Sequence, residues 1–153
     1  IYLKPKKERP SQQVLPVLYP LYRDSDVVGL AKILIIYFVG IQRAWHEQWK
    51  TDETLKRSLF GKTNGVAVIF QLLHNLAVMT GGIDKLRLDY VIEKWTKVDS
   101  HIINNPPKGG SKAYQTDVAK KVMQDMFGAG YAQEFEAALE SEKINLREAG
   151  GLI

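Results

Sequence analysis

The chain contains no cysteine, which removes disulfides, thiolate metal sites and cysteine nucleophiles together. The same absence suits a reducing compartment, and the expected location is cytoplasmic. Histidine is scarce as well. The three histidines, His46, His74 and His101, stand far apart. His46-Glu47 lacks the second histidine, four residues on, that a helical zinc motif needs. His74 falls in a greasy stretch and reads as a core or boundary histidine. No metal and no cofactor is expected. There is no G-x-S-x-G turn to carry a serine nucleophile, and no catalytic residue is assigned. No apolar run reaches the roughly 20 residues that cross a bilayer. The longest, Val27 to Ile41, carries Lys32 and reads as a buried helix, so a membrane is not an expected partner. No segment alternates apolar and polar residues as a half-buried strand does, and no unit repeats at a period of about 20–50 residues.

What is present is ordinary globular material, with 45% hydrophobic and 25% charged residues among 153. One domain with a trailing arm fits this length. Ile1 opens the chain where Met would be expected, and the first ten residues lack the apolar centre and cleavage site of a signal peptide. The expectation is a piece of a longer protein. Net charge is +4, unevenly spread: Lys4, Lys6, Lys7 and Arg9 face Glu8 alone near the start. Residues 1–11 therefore read as a basic flexible arm, ordinarily a solvated linker and otherwise a contact for nucleic acid or an acidic partner. Residues 12–142 read as a helical domain and 143–153 as a frayed tail.

Pro16 and Pro20 confine the apolar segment 12–23 to an irregular or 3₁₀ turn packed on the core. Asp24, Ser25 and Asp26 then offer caps for a long helix reaching about Lys50. Its first half is apolar on every side, from Ile33 to Val39, which predicts a position in the middle of a bundle. In its second half Ile41, Trp45 and Trp49 share one face. Thr51 to Arg57 reads as a loop or short turn. A helix from Gly65 to Met79 follows, capped by Thr63 or Asn64, striped by Val66, Ile69, Phe70, Leu73 and Leu76, and stopped by Gly81-Gly82. Asp84 is expected to cap a helix to about Val98 with Leu88, Val91, Ile92 and Trp95 on one face. After the loop Asn104 to Ser111, helices are expected over Tyr114–Met126 and Tyr131–Ser141. The fold class is all-α: an irregular bundle of about five helices around a long central apolar helix.

The Gly61-Lys62-Thr63 triplet invites a phosphate-loop interpretation. A true P-loop carries a glycine five residues before the Gly-Lys pair, because the intervening amides wrap the phosphate. Here that position is Lys56, and no buried strand leads in. Helix capping explains the triplet's composition, and Lys62 beside a helix start keeps a use as a contact to a nucleic-acid phosphate. Lys108-Gly109-Gly110-Ser111-Lys112 is flexible and basic, and serves either as a connector or as a second such contact. Asp84, Asp89 and Glu93 read as a solvated face, with Lys85–Asp89 and Glu93–Lys97 pairs at helical spacing. The tryptophans at 45, 49 and 95 read as core, the other use of such rings being to stack on bases.

The order Tyr37-Phe38, Ala44-Trp45, Trp49, Leu59-Phe60-Gly61-Lys62-Thr63-Asn64-Gly65 and Gly109-Gly110-Ser111 with Gln115 resembles the C-terminal part of DGQHR-domain proteins. These include the regulator associated with DNA phosphorothioation and relatives in mobile and defence islands. The resemblance spans roughly residues 30 to 127. In that family an α/β portion bears the Asp-Gly-Gln-His-Arg signature and a helical portion follows. The signature is missing from this sequence, so nothing that belongs to it carries over.

What the resemblance implies is a non-enzymatic helical half in a DNA-associated regulator of modification or defence. Lys62, Asn64, Lys108 and Lys112 would be its phosphate contacts. The expected partners are DNA, or a protein that includes a second copy of the chain. The alternative is a protein-interaction or dimerisation module without nucleic-acid binding, using surplus apolar surface from the Val14–Tyr22 stretch and the tryptophan face.

Overall fold

The computed structural model describes residues 18, 21–22, 24–108 and 112–148, with the backbone alone for Lys112 and 145–148. The basic arm and the end of the tail lie outside them. Helix α1, Val27–Ala44, starts where the Asp26 carboxylate accepts the Gly29 amide at 2.8 Å. Its core seam is Ile33, Tyr37, Gly40 and Ile41, spaced to keep one stripe inward. That stripe packs on α4, Leu88–Thr96. Gly40 has a steric reason: a Cβ there would lie 2.5 Å from Val91 Cγ1, so only glycine lets the two helices approach this closely. The expected continuation of α1 to Lys50 does not form. The backbone leaves the helix at Trp45 (φ −126°) and makes a 3₁₀ turn over His46–Trp49. The Trp45 Nε1–H donates to the Trp95 carbonyl at 2.8 Å and ties the ends of α1 and α4 together.

Where a loop or short turn is expected over Thr51 to Arg57, residues 52–57 form a short helix, α2 (Asp52–Arg57). The reason is a reciprocal cap, in which Thr51 Oγ1 accepts from the Thr54 amide and Thr54 Oγ1 from the Thr51 amide. After a 3₁₀ turn at Leu59–Gly61 comes α3, Thr63–Thr80. Neither Thr63 nor Asn64 is its cap. That position belongs to Lys62, in extended backbone and without a side-chain capping bond. The stop is as expected: Gly81 is left-handed (φ 91°), the Gly82 amide reaches Ala77 O at 2.9 Å, and the Gly81 amide reaches Val78 O at 3.1 Å.

Asp84 lies in a 3₁₀ turn, and α4 begins later, after Arg87. Of the two expected ion pairs on that face, Glu93–Lys97 forms at 3.4 Å. Asp89 instead accepts from the Tyr90 amide. The remaining helices are α5 (Ser100–Asn104), α6 (Lys112–Phe127) and α7 (Tyr131–Glu148). Val118, Val122 and Met126 form the buried stripe of α6, as their spacing requires. Helix α7 continues past Ser141 to Glu148, because residue 142 is still buried where α7 lies along α3.

The architecture is an all-α bundle, with no strand among the described residues. Its middle, however, is α3 and not the most apolar helix. Every residue from Leu72 to Val78 is buried, since α6, α7 and the 59–61 turn all pack on α3. Helix α1 keeps Val27, Val28 and Ile35 exposed at 73%, 68% and 61%. By length and composition α1 is also a helix that could cross a membrane.

Candidate functional site

Two regions carry chemistry. The first is the hinge from Ser58 to Gly65. The Ser58 hydroxyl donates to Leu55 O at 2.8 Å and accepts from the Phe60 amide at 3.2 Å, which seats Leu59 and Phe60 in the core. The two glycines are sites of backbone contact. A Cβ on Gly61 would fall 2.1 Å from Leu55 O, and one on Gly65 would fall 1.9 Å from Leu59 O. The hinge is thus folded tightly onto α2 and the turn before α3.

Lys62 alone points its charge outward from this unit. It is exposed and makes no ion pair among the described residues. Asn64 is half-buried and already engaged within the fold, so it is a weak contact for an external phosphate. Lys108 is exposed in the loop after α5, and α5 packs against the 59–61 turn. The Lys108 loop therefore departs from the end of the bundle that carries Lys62. Lys112 is the first residue of α6, and its side chain lies outside the described atoms.

The tryptophans are in the core layer. Trp49 stacks on Phe60 at 5.4 Å, and Phe60 meets Trp95 at 5.9 Å. Tyr37 meets Trp95 at 6.4 Å, and Phe38 meets Phe70 at 5.7 Å. Trp95 is fully buried, and Trp45 and Trp49 are partly so. The Tyr37 hydroxyl donates to the Ile69 carbonyl, and burial pushes its pKa well above the usual phenol range.

The second region was not singled out from the sequence. A groove of about 680 Å³ runs between α3, α6 and α7. From α3 it takes Gln71, His74 and Asn75, from α6 Gln115 and Lys120, and from α7 Tyr131 and Phe135. His74 is only 9% exposed, and among the described residues its Nδ1 has no hydrogen-bond partner. Burial lowers its pKa to about 4, so the imidazole is neutral near pH 7. Gln71 Nε2 donates to Asn75 Oδ1 at 3.1 Å. That bond occupies the Asn75 carbonyl and leaves its NH₂ to donate. The clue available in the sequence was the polar pair His74-Asn75 inside a run of apolar residues. Periodicity assigned the run to the core and did not show that a groove reaches it.

A half-buried lysine completes the inventory. Lys94 Nζ sits 4.6 Å from the Phe127 ring centre and 5.5 Å from that of Tyr90. Burial lowers its pKa, and burial, with Glu93 adding to it, raises that of Tyr90 to about 12. This packing joins α4 to the end of α6. Among the described residues no three histidine or carboxylate side chains come together as a metal site would need. Compared with family models, curated proteins and solved structures, the chain matches none.

Proposed function

We propose that this chain is a non-enzymatic helical domain of a DGQHR-like, DNA-associated regulator of modification or defence. It touches the nucleic-acid backbone through the end of the bundle that carries Lys62. The observation behind this is the start of α3. An 18-residue helix begins there without a side-chain cap, beside an exposed, unpaired lysine. First-turn amides and the positive end of the helix dipole favour an anion at such a place, and the loop with Lys108 follows α5, which packs on the 59–61 turn. The resemblance supplies the setting, and four of its aromatic residues, Tyr37, Phe38, Trp49 and Phe60, pack in the core around Trp95 and Phe70. Contacts of this kind position a duplex without reading its sequence.

The test is titration of duplex and single-stranded DNA at several salt concentrations. The expected result is weak, salt-dependent binding with little sequence preference. In the Lys62→Ala, Lys108→Ala double variant, the log–log salt slope should fall by about two, roughly one for each lost phosphate contact. No binding at low salt, or a slope indifferent to both substitutions, would overturn it.

A second reading rests on a different observation, the exposed apolar row of α1. Val27, Ala31 and Ile35 lie one turn apart on the solvent side. The order bulky–small–bulky is the same from either end, so an antiparallel second copy centred on Ala31 sets Val27 of each helix against Ile35 of the other. Self-complementarity of this kind is what a two-fold dimer interface requires.

A further inference from the structure

We infer that the groove between α3, α6 and α7 is a binding site for a small amphipathic acid, a molecule with one anionic group on an apolar or aromatic body. This is independent of the nucleic-acid contact at the Lys62 end. Its volume, about 680 Å³, lies within the usual range of small-molecule sites.

The lining is selective in charge. Lys120 lines it, exposed and in no ion pair among the described residues, whereas its neighbour Lys121 is paired with Asp125 at 2.8 Å. Among the described residues no carboxylate side chain lines the groove. An anion therefore finds a free cation and meets no charge of its own sign. The Asn75 NH₂ adds a neutral donor, its carbonyl being held by Gln71. Beneath these polar groups the walls are apolar: Val68, Met123, Phe135 and Leu139.

His74 gives the site its second feature. It is a nine-tenths-buried polar ring lining the groove, with Nδ1 unpartnered among the described residues. A bound acid lays its apolar body along these walls with its charged group at Lys120, towards the rim, and the neutral imidazole sets no competing charge against it. A cationic ligand meets Lys120 and gains no counter-charge, and a purely apolar one leaves the Asn75 donor without an acceptor. The combination of one free cation, one amide donor, a neutral ring and an apolar floor fits an amphipathic monoanion.

The experiment uses 8-anilinonaphthalene-1-sulfonate, an aryl sulfonate whose fluorescence rises on binding, with octanoate and octylammonium as competitors. The intact chain is used alongside Lys120→Glu, Ala67→Trp and Ile35→Glu, each checked for retained helicity by circular dichroism. Ala67 is exposed and lines the groove, so a tryptophan there fills the space without touching the core. Ile35 lies on the far apolar row of α1 and controls for adventitious probe binding there.

The expected result is saturable binding that octanoate displaces and octylammonium does not. Lys120→Glu should weaken it by about ten-fold or more, the loss of one charge-assisted contact. Ala67→Trp should abolish it, and Ile35→Glu should leave it unchanged. Absence of binding overturns the proposal. So does equal displacement by octylammonium, equal affinity in Lys120→Glu, or loss confined to Ile35→Glu.

Discussion

His74 shows how one buried side chain makes the whole fold sensitive to acid. In the unfolded chain its imidazole takes a proton near the ordinary value of 6.5, whereas burial holds the folded value at about 4. Between those two pH values the unfolded state binds more protons than the folded one, so stability rises with pH. The contribution is fully present above pH 6.5, falls as the solution is acidified, and is gone at about pH 4. Its full size is of the order of 3 kcal/mol at one pKa unit per about 1.4 kcal/mol. His74→Gln cannot titrate. Its urea unfolding free energy should fall less than that of the native chain on going from pH 7.5 to pH 5, by about 2 kcal/mol. Parallel pH dependences in the two proteins would remove His74 as the cause. The sequence placed this residue in a buried helix from its apolar neighbours. The unpartnered nitrogen and the groove depend on what α6 and α7 bring to it, and no local pattern records that.

At the scale of elements, the hinge before α3 is where local rules and packing disagree most usefully. Helix propensity favours alanine over glycine by about 1 kcal/mol inside a helix, so Gly65→Ala would stabilise an isolated α3. In the fold its methyl group would sit 1.9 Å from the Leu59 carbonyl oxygen, and a backbone oxygen cannot swing away. Gly65→Ala should therefore lower stability by about 1–3 kcal/mol, the usual cost of overpacking, read as a lower melting temperature. An unchanged or raised melting temperature would show that the hinge yields.

The same hinge shows which element boundaries were legible. The Gly81-Gly82 stop followed from glycine's access to positive φ and was borne out. The side chains of Thr63 and Asn64 suit the cap of α3, but the 59–61 turn hands the position to Lys62. The polarity of Thr51 to Arg57 reads as a loop or short turn, and the Thr51–Thr54 reciprocal cap makes 52–57 a helix.

For the whole molecule, the question is why the most apolar helix is not the most buried. Burial needs neighbours on every side. Helix α1 has α4 on one side, and Val27, Val28 and Ile35 on the other side stay exposed. Such a row is the kind of surface that marks an interaction face. Sedimentation over a range of concentrations should show a monomer–dimer equilibrium, and Ile35→Glu should return the chain to monomer with its helicity intact. A chain that stays monomeric, or an Ile35→Glu dimer as strong as the original, would exclude α1 as the contact. Binding of the intact chain to lipid vesicles in place of self-association would identify a bilayer as what covers it.

By itself the sequence determined the all-α class, the inward stripes of α4 and α6, the glycine stop of α3 and the core placement of the tryptophans. These follow from periodicity and backbone freedom, which act within a few residues of one another. Only the tertiary structure decided that α3 lies in the middle, that Gly61 and Gly65 are pinned by carbonyls, and that His74, Asn75 and Lys120 border one groove. Those facts depend on which surfaces meet across long stretches of chain, and an apolar pattern says that a face will be covered without saying by what.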